Sequence, residues 1–591
     1  MKRKSNKADS NTMFVISRLL QYTSPYRGYM IGALVCAVIS VSLTLYAPVL
    51  IGKAIDLIVD IGQVDFKNIS YILFKLVFVV LFGAIFQWIM TLCTNVISYS
   101  VVKDLRLKTF KKLEEVPLSY IDSHSHGDLI SRVINDIDQV SDGLIQGFSQ
   151  LITGVVTIVG TLLFMMSINV KIALVVVILT PVSLLVAAFI AKHTFIHFKQ
   201  QSAIRGELGG YIEELIGNQK IVRAFGYERR SCEKFDEINQ SLYKVGINAQ
   251  FYSSITNPST RFVNGMVYAC VGLTGAIAAI NGNMTVGQLS SFLNYANQYT
   301  KPFNEITGVI TELQTAIASA GRIFEVLDTA SEVPDRPEAI VLNQCAGNIS
   351  LKEVSFSYTK EKPFIENLNL LAKTGQRIAI VGPTGCGKTT IINLLMRFYD
   401  ADKGNIYVDE TNILDITRDS LREMYGMVLQ ETWMFSGTIR ENIAYGKPNA
   451  TLEEVIHAAK AAYAHSFIRR LPNGYDTVID EEGGGISAGQ KQLLCIARVM
   501  LTKPPLLILD EATSSIDTRT EFFIQEAFTK MMKGRTSFIV AHRLSTIKKA
   551  DCILVMKEGK IIEKGKHEEL LEKNGFYATL YNSQFVPTVE V

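Results

Sequence analysis

The fold class predicted by this sequence is an α-helical transmembrane bundle of six spans followed by an α/β P-loop NTPase domain, and three observations predict it. Hydrophobic residues make up 48% of the 591-residue chain against 19% charged, too apolar for a wholly soluble protein of this size. The apolar residues gather in the first half as long charge-free runs. Beyond them, Gly382-Pro383-Thr384-Gly385-Cys386-Gly387-Lys388-Thr389 fits G-x-x-x-x-G-K-[ST] directly after the apolar run Ile378–Val381. A strand, a glycine-rich loop and a helix in that order form the setting in which the motif binds nucleotide phosphates.

The N-terminal residues Met1–Asp9 are rich in Lys and Arg but lack a following short apolar core with a cleavage site, so no cleavable signal peptide is expected. Thr12–Tyr26 sets Phe14, Val15, Leu19 and Leu20 beside Arg18 and Tyr22 and predicts an amphipathic helix lying along the membrane surface. Four uncharged stretches follow: Ile31–Ile51, Leu76–Val102, Leu144–Val170 and Ile172–Ala191. Each reaches the roughly 20 residues needed to cross a hydrocarbon core. The fifth, Phe262–Thr300, is too long for one span, and Asn281-Gly282-Asn283 divides it into a hairpin of two.

Lys and Arg crowd the N-terminal segment, the loop after span two (Lys103, Arg106, Lys108, Lys111, Lys112) and the loop after span four (Lys199, Arg205, Lys220, Arg223, Arg229, Arg230). The positive-inside rule therefore expects both termini, and the domain after span six, on the cytoplasmic side. Both basic loops carry apolar residues at helical spacing. If span two continues as helix to Pro117, its roughly 15 extra residues project ~20 Å into the cytoplasm.

Residues 1–327 are thus expected to form the membrane domain and 328–347 a linker, with Pro334, Pro337 and several acids. Alternating strands and helices over 348–591 predict the nucleotide-binding domain. The net charge of +3 gives no reason to expect a nucleic-acid partner, and eight scattered cysteines without a C-x-x-C pair read as reduced thiols. His193 and His197 have metal-ligand spacing but no evident third ligand, and are read as interfacial side chains.

The chemistry starts at the phosphate loop. Its backbone N–H groups turn inward around phosphate oxygens, and the helix that follows, read as Thr390–Tyr399, offers its positive end to the same anion. Lys388 is expected to reach the β- and γ-phosphates of ATP, and the Thr389 hydroxyl to ligate Mg²⁺. The apolar strand Leu506–Leu509 ends in Asp510 and Glu511. Asp510 suits the Mg²⁺ shell, and Glu511 stands where a general base orients the attacking water.

At Ile486-Ser487-Ala488-Gly489-Gln490-Lys491-Gln492, before an apolar helix, the sequence resembles the signature of ABC transporters. With phosphate loop, signature and Asp-Glu strand in this order, nearly the whole chain resembles an ABC exporter half-transporter. That resemblance implies further roles. Tyr358 matches the aromatic that stacks on adenine, and Thr390 closes the phosphate-binding segment. Gln430 matches the Q-loop residue that touches Mg²⁺ and the attacking water. Asp517 matches the D-loop aspartate and His542 the switch histidine beside the γ-phosphate. Ser487, Gly489 and Gln490 are implied to close over ATP held by a partner subunit. Pro117–Arg132 and Glu214–Glu228 resemble the two coupling-helix regions that pass closure to the spans.

Ile486 and Ala488 depart from the usual L-S-G-G-Q. An intact Glu511 and His542 beside an altered signature resembles the consensus-site subunit of bacterial heterodimeric multidrug exporters, with a homodimer as the alternative. The implied function is ATP-driven export of amphipathic small molecules or drugs from the bacterial plasma membrane. Lipid flipping is the runner-up, followed by peptide export, which would go with a peptidase domain ahead of span one, and by an ATP-gated channel. Arg261, Asn264, Asn294, Asn297 and Gln298 are costly to expose to lipid, so they are expected either to line a cavity or to bond between helices.

Overall fold

A computed structural model describes residues 2–58, 64–359, 362–430, 432–480, 485–510, 516–540 and 544–585. Its contacts divide into two compact units, Met1–Glu114 with His124–Thr329, and Glu115–Ser123 with Ala330–Val591.

The first unit is helical. After α1 (Lys2–Thr23) come α2 (Arg27–Asp56) and α3 (Phe66–Glu115). The 50-residue α3 stops where Pro117 takes an extended conformation and starts α4 (Leu118–Asp122), a short helix that belongs to the second unit. α5 (His126–Ser131) is capped by Ser125 and runs through a π-helical turn, Arg132–Asp136, into α6 (Ile137–Ile168). α7 (Val170–Gly217), α8 (Gln219–Ala224), α9 (Glu228–Ile280) and α10 (Val286–Asp328) complete it. The expected hairpin is present: α9 ends before Asn281, and Thr285 and Gln288 form a capping box that starts α10. α4 and α5 lie in the first expected coupling segment and α8 in the second.

Such runs become helices because lipid offers no partner for backbone polar groups, so each must be satisfied within the segment. Among the described residues, Thr12–Asp56, Phe66–Glu115, His126–Ile168 and Arg261–Ile280 are long and apolar enough to cross a membrane. The other two expected spans fall on α7 and α10. Among the described residues the apolar run on α7 is Val170–Pro181, and α10 is diluted by Ser, Asn and Gln. α10 packs against α2, α6 and α9, burying Phe292, Tyr295 and Tyr299 among Leu45, Met165, Val176 and Val271. Toward its end, Arg322 pairs with the buried Asp136, and Arg132 meets Asp128 at 3.0 Å and Glu325 at 3.2 Å.

The second unit holds two main sheets. β1 (Ile349–Phe356), β2 (Ile365–Ala372), β4 (Lys403–Val408) and β5 (Thr411–Asn412) form an antiparallel sheet in the order β2-β1-β4-β5. The larger sheet runs β12-β11-β3-β10-β9-β6. Its strands are β3 (Arg377–Val381), β6 (Tyr425–Val428), β9 (Leu506–Asp510), β10 (Thr536–Val540), β11 (Cys552–Lys557) and the antiparallel edge strand β12 (Lys560–Gly565). β10 is buried along its whole length, which is why the inner strands read as continuous apolar runs. β7 (Gly437–Thr438) and β8 (Val478–Ile479) make a small ribbon.

The helices of this unit are α11 (Lys388–Leu395), α12 (Arg418–Glu423), α13 (Ile439–Ala444), α14 (Leu452–Ala461), α15 (His465–Ile468), α16 (Ala488–Thr502), α17 (Thr518–Met532), α18 (Leu544–Lys548), α19 (His567–Glu572) and α20 (Phe576–Phe585). α11 is shorter than read from the sequence. Arg397, at φ 51°, turns the chain in the left-handed region, so Phe398 and Tyr399 leave the helix axis.

The stretch that opens the second unit's long segment is tied down within that unit. Arg397 and Arg418, with 3% and 7% of their side chains exposed, share Asp335 at 3.2 and 2.8 Å and Asp400 at 3.1 and 3.2 Å. Glu332 meets Arg418 at 3.2 Å and Arg422 at 3.1 Å.

Candidate nucleotide site

The phosphate loop leaves β3 at Val381 and enters α11 at Lys388. Gly385 and Gly387 sit at φ +79° and +105°, left-handed values that side chains resist. Lys388, 9% exposed, is drawn into the loop and donates from Nζ to the carbonyl oxygens of Gly382 at 2.8 Å and Pro383 at 3.1 Å. Its charge therefore sits at the positive end of α11, where an anion is favoured twice over. Pro383, Thr384 and Thr389 are exposed, whereas Cys386 and Thr390 are buried. Burial pushes the Cys386 thiol up from its ordinary value.

Parallel pairing brings further residues to the same sheet edge. Asp510 is the last residue of β9, level with Val540 of β10, and Leu509 is level with Val428 of β6. Gln430 follows β6 by two residues and is exposed, while Asp510 is half-buried. β3 and β9 flank β10, so the loop and Asp510 start from strands roughly 10 Å apart. The carboxyl ends of parallel strands are where α/β sheets bind ligands. Glu511 and His542, which continue from β9 and β10, lie outside the described residues.

Tyr358 is half-exposed, and its hydroxyl is 3.0 Å from that of Thr390. Its ring meets Phe356, Phe364 and Tyr399 at centroid distances of 4.8, 5.6 and 5.3 Å. By sequence alone Tyr399 reads as the tail of the helix after the loop, so nothing local marks it as a neighbour of Tyr358.

The signature residues start α16. Ser487 caps it, accepting from the Gln490 N–H at 3.3 Å, and the Gln490 side chain returns the bond to the Ser487 N–H at 2.9 Å. A Cβ on Gly489 would come within 2.5 Å of Thr520, so only glycine lets α16 approach α17 this closely. Asp517 caps α17 by accepting from the Thr520 N–H at 2.9 Å, a bond that holds its carboxyl below the usual range. Of the two departures from the usual signature, Ile486 is buried in the core and Ala488 is exposed.

In the membrane unit, Arg261, Asn294 and Asn297 are exposed, and Asn264 and Gln298 half-buried. The Asn294 amide donates to the Ser290 carbonyl of its own helix at 3.0 Å. His197 stacks on Tyr252 at 4.9 Å, while the His193 side chain lies outside the described residues.

Residues 30–303 match the ABC transporter transmembrane region and residues 365–514 the ABC transporter domain. The chain is 42% identical over 517 residues to the fatty acid ABC transporter ATP-binding/permease protein of Mycobacterium bovis, covering 87% of this chain and 82% of that one. It is 34% identical over 574 residues to the ATP-dependent lipid A-core flippase of Syntrophus aciditrophicus, covering 97% and 95%. The structure of a bacterial Atm1-family ABC exporter with ATP bound aligns with a TM-score of 0.77 at 27% identity, over 95% of this chain and 99% of that one. The chain belongs to the ABC transporter family. It is an exporter half-transporter, an ATPase whose hydrolysis is coupled to translocation across a membrane.

Proposed function

We propose that this chain exports amphipathic small molecules or drugs across a bacterial plasma membrane by alternating access, with both termini in the cytoplasm. The observation that supports the reading is the carboxyl end of the parallel sheet, where the phosphate loop follows β3, Asp510 ends β9 and Gln430 follows β6, in a chain whose other half is membrane helix. Lys388 reaches the β- and γ-phosphates of ATP, and Tyr358 stacks on the adenine. A Cβ on Gly385 would meet nothing within 4 Å, so the loop has room on that side for phosphate oxygens. The Thr389 hydroxyl, the Asp510 carboxylate and the Gln430 amide are hard oxygen donors of the kind Mg²⁺ takes. When bound, the ion neutralises charge on the phosphates. Glu511 accepts the proton of the attacking water, with His542 beside the γ-phosphate.

The working unit in this reading is a dimer with a second half-transporter. Ser487, Gly489, Gln490 and Asp517 serve the nucleotide across the interface. We favour a heterodimer on the altered signature, and on Ala488 above all, since isoleucine at 486 keeps an aliphatic core side chain.

A second reading, movement of a lipid or fatty acid, is favoured by what the two relatives are named for. ATPase activity and vesicle transport, measured for the chain alone and with a candidate partner, test both. Uphill movement of an amphipathic dye supports the first reading. Movement of a labelled fatty acid or lipid with no dye flux supports the second, and hydrolysis with neither flux overturns both.

A further inference from the structure

One face of α2 is stitched to one face of α10 by a seam that the nucleotide chemistry does not use. At its inner end, the hydroxyl of the fully buried Tyr295 donates to the carbonyl of Leu45. One turn on, Ser291, 3% exposed, donates to the carbonyl of Pro48 at 2.7 Å. Next, Gly52 and Gly287 bring the two backbones together so closely that a Cβ on either would overlap the other's carbonyl. At the far end, Asp56 accepts from the Thr285 hydroxyl and from the Gly287 N–H, both at 2.7 Å.

The seam is graded along its length. The Ser291 and Tyr295 hydroxyls are buried, with no water to turn to if the helices part. The Thr285 bond is exposed, so its donor and acceptor can exchange each other for water at little net cost. Asp56 is also the last residue of α2, where the negative end of its own helix dipole disfavours a carboxylate. Docking on the first turn of α10 reverses that environment, because the orphan N–H groups and the positive dipole end lie there. The donors that hold it are neutral, a hydroxyl and a backbone N–H, so the bond forms and breaks without stranding a partner charge.

We propose that Asp56 is a positioning residue for transport: it latches the ends of α2 and α10 remote from Asp328, and the seam opens from Asp56 inward when cargo leaves. That this end faces away from the cytoplasm rests on the orientation proposed above; the latch itself rests on the seam.

Two measurements on the full-length transporter test it. In Asp56→Cys/Thr285→Cys, a short bis-methanethiosulfonate should bridge the pair, and bridging should cut cargo flux at least about ten-fold, with recovery on reduction by dithiothreitol. Undiminished flux in the bridged protein, or failure of the pair to bridge, overturns the latch. The second measurement needs no cargo. In Ser291→Cys, a charged, membrane-impermeant methanethiosulfonate should modify residue 291 at least about five-fold faster during ATP turnover than without nucleotide, after subtraction of the parent chain's own cysteines. Equal rates in the two states overturn the latch. A parent that moves no amphipathic probe yet shows nucleotide-dependent labelling sinks the cargo assignment and leaves the latch standing.

Discussion

Tyr399 donates its phenolic hydrogen to the Asp122 carboxylate at 2.5 Å, while its ring meets that of Tyr358 edge-on at 5.3 Å. The tyrosine expected to stack on adenine is therefore two contacts away from α4, the short helix in the first coupling segment. A hydrogen bond to a charged acceptor contributes about 1.5–3 kcal/mol, and exposure of this one places it at the lower end.

Tyr399→Phe keeps the ring and removes that bond. We expect ATP hydrolysis within about two-fold of the parent and a several-fold fall in cargo moved per ATP, with Asp122→Ala behaving alike and the double variant no worse than either single one. Flux and ATPase measured on one vesicle preparation check it. Parallel losses of both activities would mean that the pair only supports the fold.

Lys388→Ala removes the ammonium held at the carbonyls of Gly382 and Pro383. Nucleotide affinity at this site should fall by at least an order of magnitude, as expected for loss of a charged phosphate contact, with the membrane unit still folded. Fluorescent-nucleotide titration and a thermal melt report the two quantities separately; unchanged affinity would remove Lys388 from the phosphate site.

Burial raises the Cys386 thiol, with the Lys388 charge opposing it as a smaller effect. A raised thiol holds less thiolate at a given pH, and thiolate is the reactive form. Alkylation of Cys386 should therefore lag behind that of the exposed Cys232 at neutral pH and gain on it as pH rises. Peptide mapping after timed iodoacetamide treatment measures both in one sample, and equal rates across the pH range would contradict the shift.

Partnership gives a sharper contrast. In a heterodimer whose fast site belongs to this chain, Glu511→Gln should lower turnover on the order of 10²-fold or more, within the range for losing general-base catalysis. Ser487→Ala should do much less, because it touches only the slow site. In a homodimer every site contains both residues, so the two changes should be comparably damaging. ATPase of both variants, in complexes whose subunit content is fixed by native mass, separates the assemblies.

Much of this was legible because it is local. The glycine-rich loop, the stop at Pro117 and the break at Asn281–Asn283 are read within a few residues, and they stand at the loop before α11, the end of α3 and the α9–α10 turn. What escaped depends on distant partners or on one backbone angle. Arg397 at φ 51° ends a helix that its apolar spacing would have continued. Asp56 looks like any polar residue after a span, because its partners Thr285 and Gly287 lie more than 200 positions away. Glu332 and Asp335 read as solvated linker acids, since nothing nearby announces Arg397 or Arg418.

Those two acids also decide where the ATP-binding half can be cut free. A fragment begun at residue 348, where the strands start, discards Glu332 and Asp335 and leaves Arg397 and Arg418 with Asp400 as their one shared carboxylate, Arg397 keeping the carbonyls of Ile413 and Ile416 as well. Stranding buried charge costs on the order of 3 kcal/mol, a large share of what holds a typical domain together. A cut at residue 330 keeps all of these partners, so a soluble fragment made that way should melt several degrees higher than one that starts where the sheet does.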